Sequence, residues 1–334
     1  MLKRIIALFA VCLLIPSMLF SCNNNGKTEM TEMVYYTVTF NSNGGSAIAS
    51  QKVAQGSKIS QPALPTRENY VFDKWTEGGK AWDFDSDTVT SDMTLTAQWI
   101  SSEKLFTYET IENTNTASVT GFNNDYSELP QNIVLPDAIN GLKVVAVGDG
   151  AFKDLSSEDI ASITLPAGIV KIGDNAFANC ADIVINVKGA LTSVGECAFI
   201  GCNKLTEITL GEGLEHIFAE TFLECGIKKI ILPNSLKTIG NDAFKRCTEL
   251  TVVVISALSS DVETVIEDSA FRDCKALKTV FFRGSDSELE LLIDRTSDLL
   301  NECFINARFS LYSETEPTEE GSFWRMVDGE PREW

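Results

Sequence analysis

A segment built around a phenylalanine returns along the second half of the chain at a nearly constant spacing. The steps are 25, 22, 23, 22 and 27 residues, and the phenylalanines are Phe152, Phe177, Phe199, Phe222, Phe244 and Phe271. A period of about 20–29 residues is typical of solenoids, in which each repeat forms one coil and buries its apolar side chains against the next. The repeat therefore decides the fold of this half of the chain.

Each repeat combines a turn with a strand. Three repeats share the full pattern F-x-x-C-x-x-L-x-x-[IV]-x-[LIF], and they begin at Phe199, Phe244 and Phe271. The repeat at Phe222 is one residue shorter after Cys225. Because apolar residues alternate at the end of the pattern, it predicts a β-strand, whereas the segment around Phe suits a tight helical turn.

The position three residues after Phe holds a cysteine in most repeats. Along the chain it is occupied by Leu155, Cys180, Cys202, Cys225, Cys247, Cys274 and Ala307. Leucine and alanine at the two ends can neither bind metal nor form a disulfide, so the position requires a small, buried apolar side chain. We interpret the cysteines as buried free thiols. A disulfide between adjacent coils and a zinc site remain the alternatives.

The segments "LPAGIVKIGDNAFANC" and "LPNSLKTIGNDAFKRC" resemble the signature of BspA-type leucine-rich repeats. The resemblance implies a right-handed leucine-rich-repeat solenoid over residues 151–310. It also implies an N-terminal cap after a linker over residues 101–150, and a C-terminal cap over 311–334. The glycine before each turn is replaced by Phe218 and Glu267 in two repeats, so that position does not require a positive φ.

Residues 34–100 form a separate unit without helical periodicity. Alternating β-forming residues predict strands at 36–40, 70–75 and 93–99, and Asn43-Gly44-Gly45 predicts a turn. The segments "VTFNSNGG", "LPTRENYVFDKW" and "MTLTAQW" resemble the B repeat of internalin-type bacterial surface proteins. This resemblance implies a small β-grasp-like module. Asn69 stands where that family usually has glycine.

The N-terminus has the features of an export signal. Two basic residues precede an apolar run that ends at Phe20 and is short for a membrane-spanning helix. Leu19, Ser21 and Cys22 resemble the lipobox of bacterial lipoproteins. The resemblance implies that residues 1–21 are removed, that Cys22 carries acyl chains, and that residues 22–33 form a flexible tether. An ordinary cleaved signal peptide is the alternative.

Composition excludes several classes of function. Lys and Arg number 27 against 47 Asp and Glu, giving a net charge of −20, which argues against nucleic acid or an anionic membrane surface as a general partner. The single histidine, His216, argues against histidine-based catalysis. No catalytic motif or phosphate-binding loop is present. We therefore expect no catalytic residues, no metal and no cofactor, and we predict that the protein is not an enzyme.

One row of residues could mark a binding face. Within each strand the residue between the last two apolar positions should point outward, away from the core. These outward residues are polar in the early repeats and become apolar at Ile231, Val254 and Phe281. An exposed apolar row indicates a partner-binding face. The alternative is that the C-terminal cap, with Trp324 and Trp334, covers the row.

Together these features predict a mainly β protein with short helical turns, exported and anchored by lipid to the bacterial membrane, most simply at the cell surface. The BspA-type resemblance implies non-catalytic binding or adhesion through the solenoid, with a protein or glycan as the ligand. The alternative is a structural or scaffolding protein of the cell envelope without an external ligand.

Lipidation at Cys22 is tested by Cys22→Ala. We expect the wild-type chain to incorporate radioactive palmitate in bacterial cells and the variant to incorporate none, because the acyl chains attach to the thiol and to the amino group that cleavage exposes. Cys12→Ala is the matched control and should label normally. Labelling of Cys22→Ala would contradict the prediction.

Overall fold

The computed structural model describes residues 20–22, 28–30, 33–123, 129–255, 265–290, 301–314, 321–327 and 330–333. At 20–22 and 28–30 it describes the backbone, where strands Phe20–Cys22 and Thr28–Met30 pair antiparallel. The chain divides into two compact units, residues 1–65 with 74–98 and residues 66–73 with 99–334. Among the described residues, the helices Ser102–Leu105 and Glu302–Ile305 have four residues each, and residues 286–290 are also helical. The prediction of a mainly β chain with short helical turns is confirmed.

The N-terminal module contains one five-stranded mixed sheet. Its strands, in spatial order, are Gln51–Ala54, Tyr35–Asn41, Met93–Ser101, Tyr70–Glu77 and Lys80–Ala81. The two central strands, Tyr35–Asn41 and Met93–Ser101, run parallel. The three strands expected from alternating residues are therefore present, each slightly longer than predicted.

Two asparagines take the left-handed conformation in turns of this module. Asn43 has a φ of 48° in the predicted Asn-Gly-Gly turn, where the Gly45 N–H donates to the Ser42 carbonyl at 3.0 Å. Asn69, which replaces the usual glycine, has a φ of 61°. Asparagine tolerates this region better than other residues with a Cβ, so the turn before Tyr70 is preserved.

The solenoid has two rows of strands. Row one begins at the N-terminal end with a sheet of three parallel strands. After an interruption it continues in a second sheet. Its strands are Asn132–Val134, Ser162–Leu165, Val184–Val187, Thr209–Leu210, Lys229–Leu232, Val252–Ile255, Thr279–Phe282 and Arg308–Tyr312. Thr209–Leu210 pairs with Ala190–Leu191 instead of its neighbours in row one. The row is thus interrupted at this coil.

Row two lies on another side of each coil and consists mostly of two-residue strands. They are Thr116–Phe122, Leu142–Val147, Lys171–Ile172, Ser193–Val194, His216–Ile217, Thr238–Ile239 and Val265–Ile266. At its N-terminal end Phe106–Ile111 pairs antiparallel with the first of them, and Ala138–Ile139 pairs with the second. The antiparallel strand covers the edge that a parallel stack would otherwise leave open.

The third side of each coil is the turn around Phe, and its backbone binds the next coil directly. The N–H groups of Asn175, Phe177 and Asn179 donate to the following coil at 2.8–2.9 Å. Residues two before and two after each of six phenylalanines have positive φ; they are Gly150, Asp154, Asn175, Asn179, Cys197, Gly201, Glu220, Glu224, Asp242, Arg246, Ser269 and Asp273. This conformation turns alternate N–H groups toward the next coil, so the turns form a hydrogen-bonded ladder without being strands.

The phenylalanine rings form one continuous buried stack. Successive ring centroids are 4.9–5.8 Å apart from Phe106 through Phe122 and the six repeat phenylalanines to Phe304. The six repeat rings and Phe304 are at most 1% exposed. Aromatic pairs at such distances contribute about 0.5–1.5 kcal/mol beyond the area that they bury. Each coil therefore depends on its neighbours for its core.

The glycine before each turn is required by close packing and not by its φ. Gly173 and Gly195 are not among the residues with positive φ. A Cβ on Gly173 would lie 2.3 Å from Oδ1 of Asp149 in the preceding coil. Backbone atoms of Gly148 and Asp149 would also lie 2.6–2.7 Å from that Cβ, so the restriction comes from the backbone of the preceding coil and not from the aspartate alone. Phe218 and Glu267 nevertheless occupy this position in their own repeats. The prediction that this position does not demand a positive φ is confirmed.

The ring stack is tested by Phe222→Ala. We expect a loss of about 3–5 kcal/mol in the free energy of unfolding, because the change leaves a cavity between two coils. Phe218→Ala is the matched control: this side chain, in the same repeat, is 49% exposed and should change stability by at most ~0.5 kcal/mol. Urea unfolding followed by circular dichroism measures both. Equal effects of the two substitutions would contradict the packing argument.

Candidate functional site

The outward residues of row one form a column across the coils. Strand register aligns Ile231 with Val254, Val254 with Phe281, and Phe281 with Ser310. In the earlier coils the same position holds polar residues, among them Thr164, Asn186 and Thr209. The sequence therefore placed these side chains on the correct face of the strands.

The C-terminal half of this column is covered. Val254 is 0% exposed, Phe281 is 7% exposed, and both pack against Trp324, which is 1% exposed. The rings of Phe281 and Trp324 are 5.3 Å apart. The expectation of an exposed apolar row is therefore wrong at Val254 and Phe281, and the alternative of a covering C-terminal cap applies there. Ile231 is half-buried at the edge of the cover.

The cover is the hairpin of Phe323–Val327 and Glu330–Glu333, which we call the C-terminal hairpin. Trp324 anchors it, since its Nε1–H donates to the Phe282 carbonyl at 3.2 Å. Two ion pairs hold the second strand: Glu330 with Lys229, and Glu333 with Arg308 at 3.0 Å. Trp334 lies outside the described residues.

A groove opens beside Ile231, beyond the hairpin. Its volume is about 510 Å³, and its lining residues are Thr206, Glu207, Ile208, Thr209, Leu210, Lys228, Lys229, Ile231 and Glu330. Hydroxyl, carboxylate and ammonium groups surround an apolar floor, which suits a polar ligand with some apolar contact. Of the three residues proposed as a binding face, the structure brings only Ile231 to an open surface.

The sequence did not indicate most of this groove. Glu330 meets Lys229 across 101 positions of the chain, and no local pattern links such distant residues. The adjacent lysines Lys228 and Lys229 were a visible signal, because they stand in a chain with a net charge of −20. Thr206 and Thr209 are ordinary outward positions of a strand segment and carry no signal of their own.

The repeated cysteines have a structural role. Cys180, Cys202, Cys225, Cys247 and Cys274 are buried and free of disulfides. Each Sγ lies 3.0–3.1 Å from the backbone carbonyl of the phenylalanine in the preceding coil, to which the thiol donates. Four of the five acceptor carbonyls, at Phe177, Phe199, Phe222 and Phe244, also accept the N–H of the cysteine in their own repeat. The interpretation of buried free thiols is confirmed.

Burial makes these thiols unreactive at neutral pH. It raises the pKa of Cys180 to about 11 and that of Cys247 to about 12. The pKa values of Cys202, Cys225 and Cys274 are also raised, chiefly by burial. Since the thiolate is the nucleophile and the metal ligand, the column is unsuited to catalysis or metal binding.

Neither the acidic turn at Asp83, Asp85 and Asp87 nor His216 forms a site. Asp83 Oδ1 accepts the Asp85 N–H at 2.8 Å, and Asp87 Oδ2 accepts the Asp83 N–H at 2.9 Å, so these carboxylates stabilise a local turn. His216 contacts the Thr238 hydroxyl through Nδ1 at 3.2 Å. Within the described ranges, no three His, Cys, Asp or Glu side chains are placed to hold a metal ion.

The structure does not test the export and lipidation features of the N-terminus. Residues 1–19 and the Cys22 side chain lie outside the described residues, so the signal peptide and the lipidation of Cys22 stay predictions. In the part of the chain that the structure covers, no helix has the length and apolar character needed to cross a membrane.

The repeat pattern identifies the family. The BspA-type leucine-rich repeat region matches in six copies over residues 126–251 and 182–292, half of the chain. The chain belongs to the BspA-type leucine-rich repeat proteins. Residues 36–98 match the Listeria-Bacteroides repeat domain. BspA-type proteins are typically surface-associated, generally mediate protein interactions and are generally not enzymes.

Individual relatives resemble only parts of the chain. A protein of Evansella cellulosilytica named as a Gly-rich membrane protein is 43% identical over 76 residues, 22% of this chain and 8% of its own length. A second membrane protein of that organism is 38% identical over 81 residues, 23% of this chain and 12% of its own length. The chain thus spans about a tenth of each relative.

Solved structures include a leucine-rich repeat protein from Bacteroides ovatus, 24% identical, covering 62% of this chain and 54% of that one, with a TM-score of 0.45. A leucine-rich repeat protein from T. pallidum is 30% identical, covering 53% and 69%, with a TM-score of 0.35. Both scores are below 0.5, so the assignment rests on the repeat pattern.

The thiols of this BspA-type protein are tested by alkylation with iodoacetamide at pH 8. We expect Cys197 and Cys303 to react first among the described cysteines, because they are partly exposed while the five column thiols are buried. Raised pKa values keep the column thiols protonated until the pH approaches about 11 at Cys180 and about 12 at Cys247. Peptide mass mapping identifies the labelled sites. The double variant Cys197→Ser, Cys303→Ser is the control. In urea all of the described cysteines should be alkylated without reductant. A pair of cysteines that is alkylated only after reduction would contradict the free-thiol assignment.

Proposed function

We propose that this protein is a non-catalytic binding protein displayed at the bacterial cell surface through a lipid anchor on Cys22. The solenoid binds a protein or glycan ligand, and the N-terminal module holds it away from the membrane. The observation that carries the proposal is the open groove in row one, where Ile231 and polar side chains are accessible beside a covered apolar face.

Family membership supports a binding role, since BspA-type proteins generally mediate interactions and are generally non-enzymatic. The column thiols also support a non-catalytic role, because they are protonated and donate hydrogen bonds to backbone carbonyls. The strong negative charge supports a ligand that is not a nucleic acid. A capped solenoid presents a rigid surface whose outward residues can vary without loss of the core.

The alternative is a scaffolding protein of the envelope without an external ligand. It is favoured by the C-terminal hairpin, because this hairpin covers the apolar part of the column and leaves a smaller free surface. The two functions differ in where the solenoid must lie: an adhesin is exposed outside the cell, whereas an internal scaffold is enclosed by the envelope.

Surface display is tested by adding proteinase K to intact cells. We expect the full-length chain to be digested within minutes while a cytoplasmic marker protein persists, because a surface solenoid is accessible without lysis. Lysed cells provide the control for digestibility. Protection of the chain in intact cells would favour the internal scaffold.

Binding itself is tested with purified chain lacking residues 1–21 and carrying Cys22→Ser, applied to arrays of extracellular-matrix proteins and glycans. The proposal predicts saturable binding to at least one ligand. Heat-unfolded chain is the control for nonspecific adsorption. Absence of saturable binding on both arrays, together with protection in intact cells, would overturn the proposed function.

A further inference from the structure

Phe218 is an exposed aromatic side chain on the outward face of row two. It lies two residues after His216, so the two side chains share one face, and their ring centroids are 6.0 Å apart. The side chain of Phe218 is 49% exposed. The neighbouring coils have glycine at the same position, Gly195 and Gly240, and therefore supply no side chain there to cover the ring. The ring is accessible to a ligand.

The face around Phe218 has further exposed groups at a fixed spacing. Strand register aligns His216 with Thr238 and Thr238 with Val265, whose side chain is 46% exposed. We call Phe218, His216, Thr238 and Val265 the row-two face. Its two exposed apolar side chains are few for a stable protein–protein interface, which buries about 800 Å² on each partner. The row-two face therefore suits a short segment better than a folded domain.

Two carboxylates border the row-two face. Glu196 precedes Cys197, whose N–H donates to the Ala219 carbonyl at 3.2 Å, and Glu220 lies two residues after Phe218. The Cys197 Sγ lies 3.8 Å from Glu220 Oε2. Burial raises the pKa of the Cys197 thiol, and the negative charges of Glu220 and Glu196 raise it further. Among the described residues, neither carboxylate forms an ion pair.

The cations of these coils are already paired with other carboxylates. Lys237 lies 2.7 Å from Glu215, and Lys245 lies 2.7 Å from Asp242. Exposed Glu267 adds one more carboxylate on the C-terminal side of the face. A net negative charge therefore remains beside the aromatic ring, on a chain whose total net charge is −20.

An exposed ring beside unpaired carboxylates is complementary to a guanidinium group. A guanidinium is planar, stacks on aromatic faces and donates paired hydrogen bonds to a carboxylate. A lysine ammonium can form the ion pair but is compact and more strongly hydrated, so it stacks less well. A second copy of this chain would bring the same negative charge, which opposes contact between two row-two faces.

We propose that the row-two face binds an arginine-containing basic segment of a partner protein, with a guanidinium stacked on Phe218 and paired with Glu196 or Glu220. Row two lies on another side of each coil from row one, so this face is separate from the groove at Ile231. The inference goes beyond the proposed function, and neither site requires the other.

The probe is a fluorescein-labelled peptide of three Gly-Arg pairs, followed by fluorescence anisotropy with the chain lacking residues 1–21 and carrying Cys22→Ser. The matched probe has three Gly-Lys pairs, with the same length and charge. Moderate ionic strength screens the attraction of distant carboxylates while short contacts persist. We expect saturable binding of the Gly-Arg peptide and about two- to fivefold weaker binding of the Gly-Lys peptide, the range of one exposed cation–π contact.

Variants of the ring test the stacking contact. Phe218→Ala should weaken binding of the Gly-Arg peptide about two- to fivefold and remove the difference between the two peptides, because it deletes the ring without changing the charge. Phe218→Tyr should keep the preference for Gly-Arg. Val184→Ala is the matched control, since Val184 is an exposed apolar residue of row one, and it should bind both peptides as wild type does.

Variants of the border test the ion pairs. The double variant Glu196→Gln, Glu220→Gln should weaken both peptides about two- to tenfold, the range of two exposed ion pairs. The control Glu112→Gln, Glu158→Gln removes the same charge at exposed positions in earlier parts of the chain and should leave binding nearly unchanged. Thermal unfolding of each variant verifies that the solenoid is intact.

Three results would overturn the proposal: no saturable binding of the Gly-Arg peptide, a preference for Gly-Arg that persists in Phe218→Ala, or equal weakening by the two double variants. The last result would assign binding to the overall charge of the chain. A neutral oligosaccharide that displaces the Gly-Arg peptide and fails to bind Phe218→Ala would assign the face to glycans and contradict a basic ligand. An array ligand bound equally by wild type and Phe218→Ala would leave the proposed function standing even where the peptide results remove this face.

Discussion

The stacked phenylalanine rings are the interaction on which the rest of the structure depends. One coil of this solenoid is too thin to enclose a core, so its ring can be buried only between the rings of its two neighbours. Centroid separations of 4.9–5.8 Å along the stack match the distance at which parallel strands and interlocked turns repeat. The same spacing thus satisfies ring packing and backbone hydrogen bonding at once.

The turn residues follow from this constraint. A positive φ two residues before and after each phenylalanine directs N–H groups to the next coil, and the cysteine thiol adds a second donor to the phenylalanine carbonyl. Cysteine is suited to the position because it is small, apolar and still a weak donor. Leu155 and Ala307, at the ends of the column, are partly buried against the core and contribute packing without a side-chain hydrogen bond.

Because the inner columns hold the coils together, the outward face is free to serve other purposes. Its early positions are polar, its last apolar positions are closed by Trp324, and the groove at Ile231 lies between these regions. The C-terminal hairpin therefore covers the apolar end of the column and leaves the groove at Ile231 and the earlier polar positions accessible.

The sequence by itself determined the period, the inner columns and the alternation of the strands, because these are local patterns repeated at every coil. It also favoured a structural role for the cysteines, since Leu155 and Ala307 share their column, but left a disulfide and a zinc site as alternatives. The structure decided between them by placing each column thiol against a backbone carbonyl. Only the tertiary structure decided that Val254 and Phe281 are buried and that Glu330 meets Lys229. Both facts depend on where the chain returns after a long separation, and contacts at that range follow from packing of the completed stack and not from any local pattern.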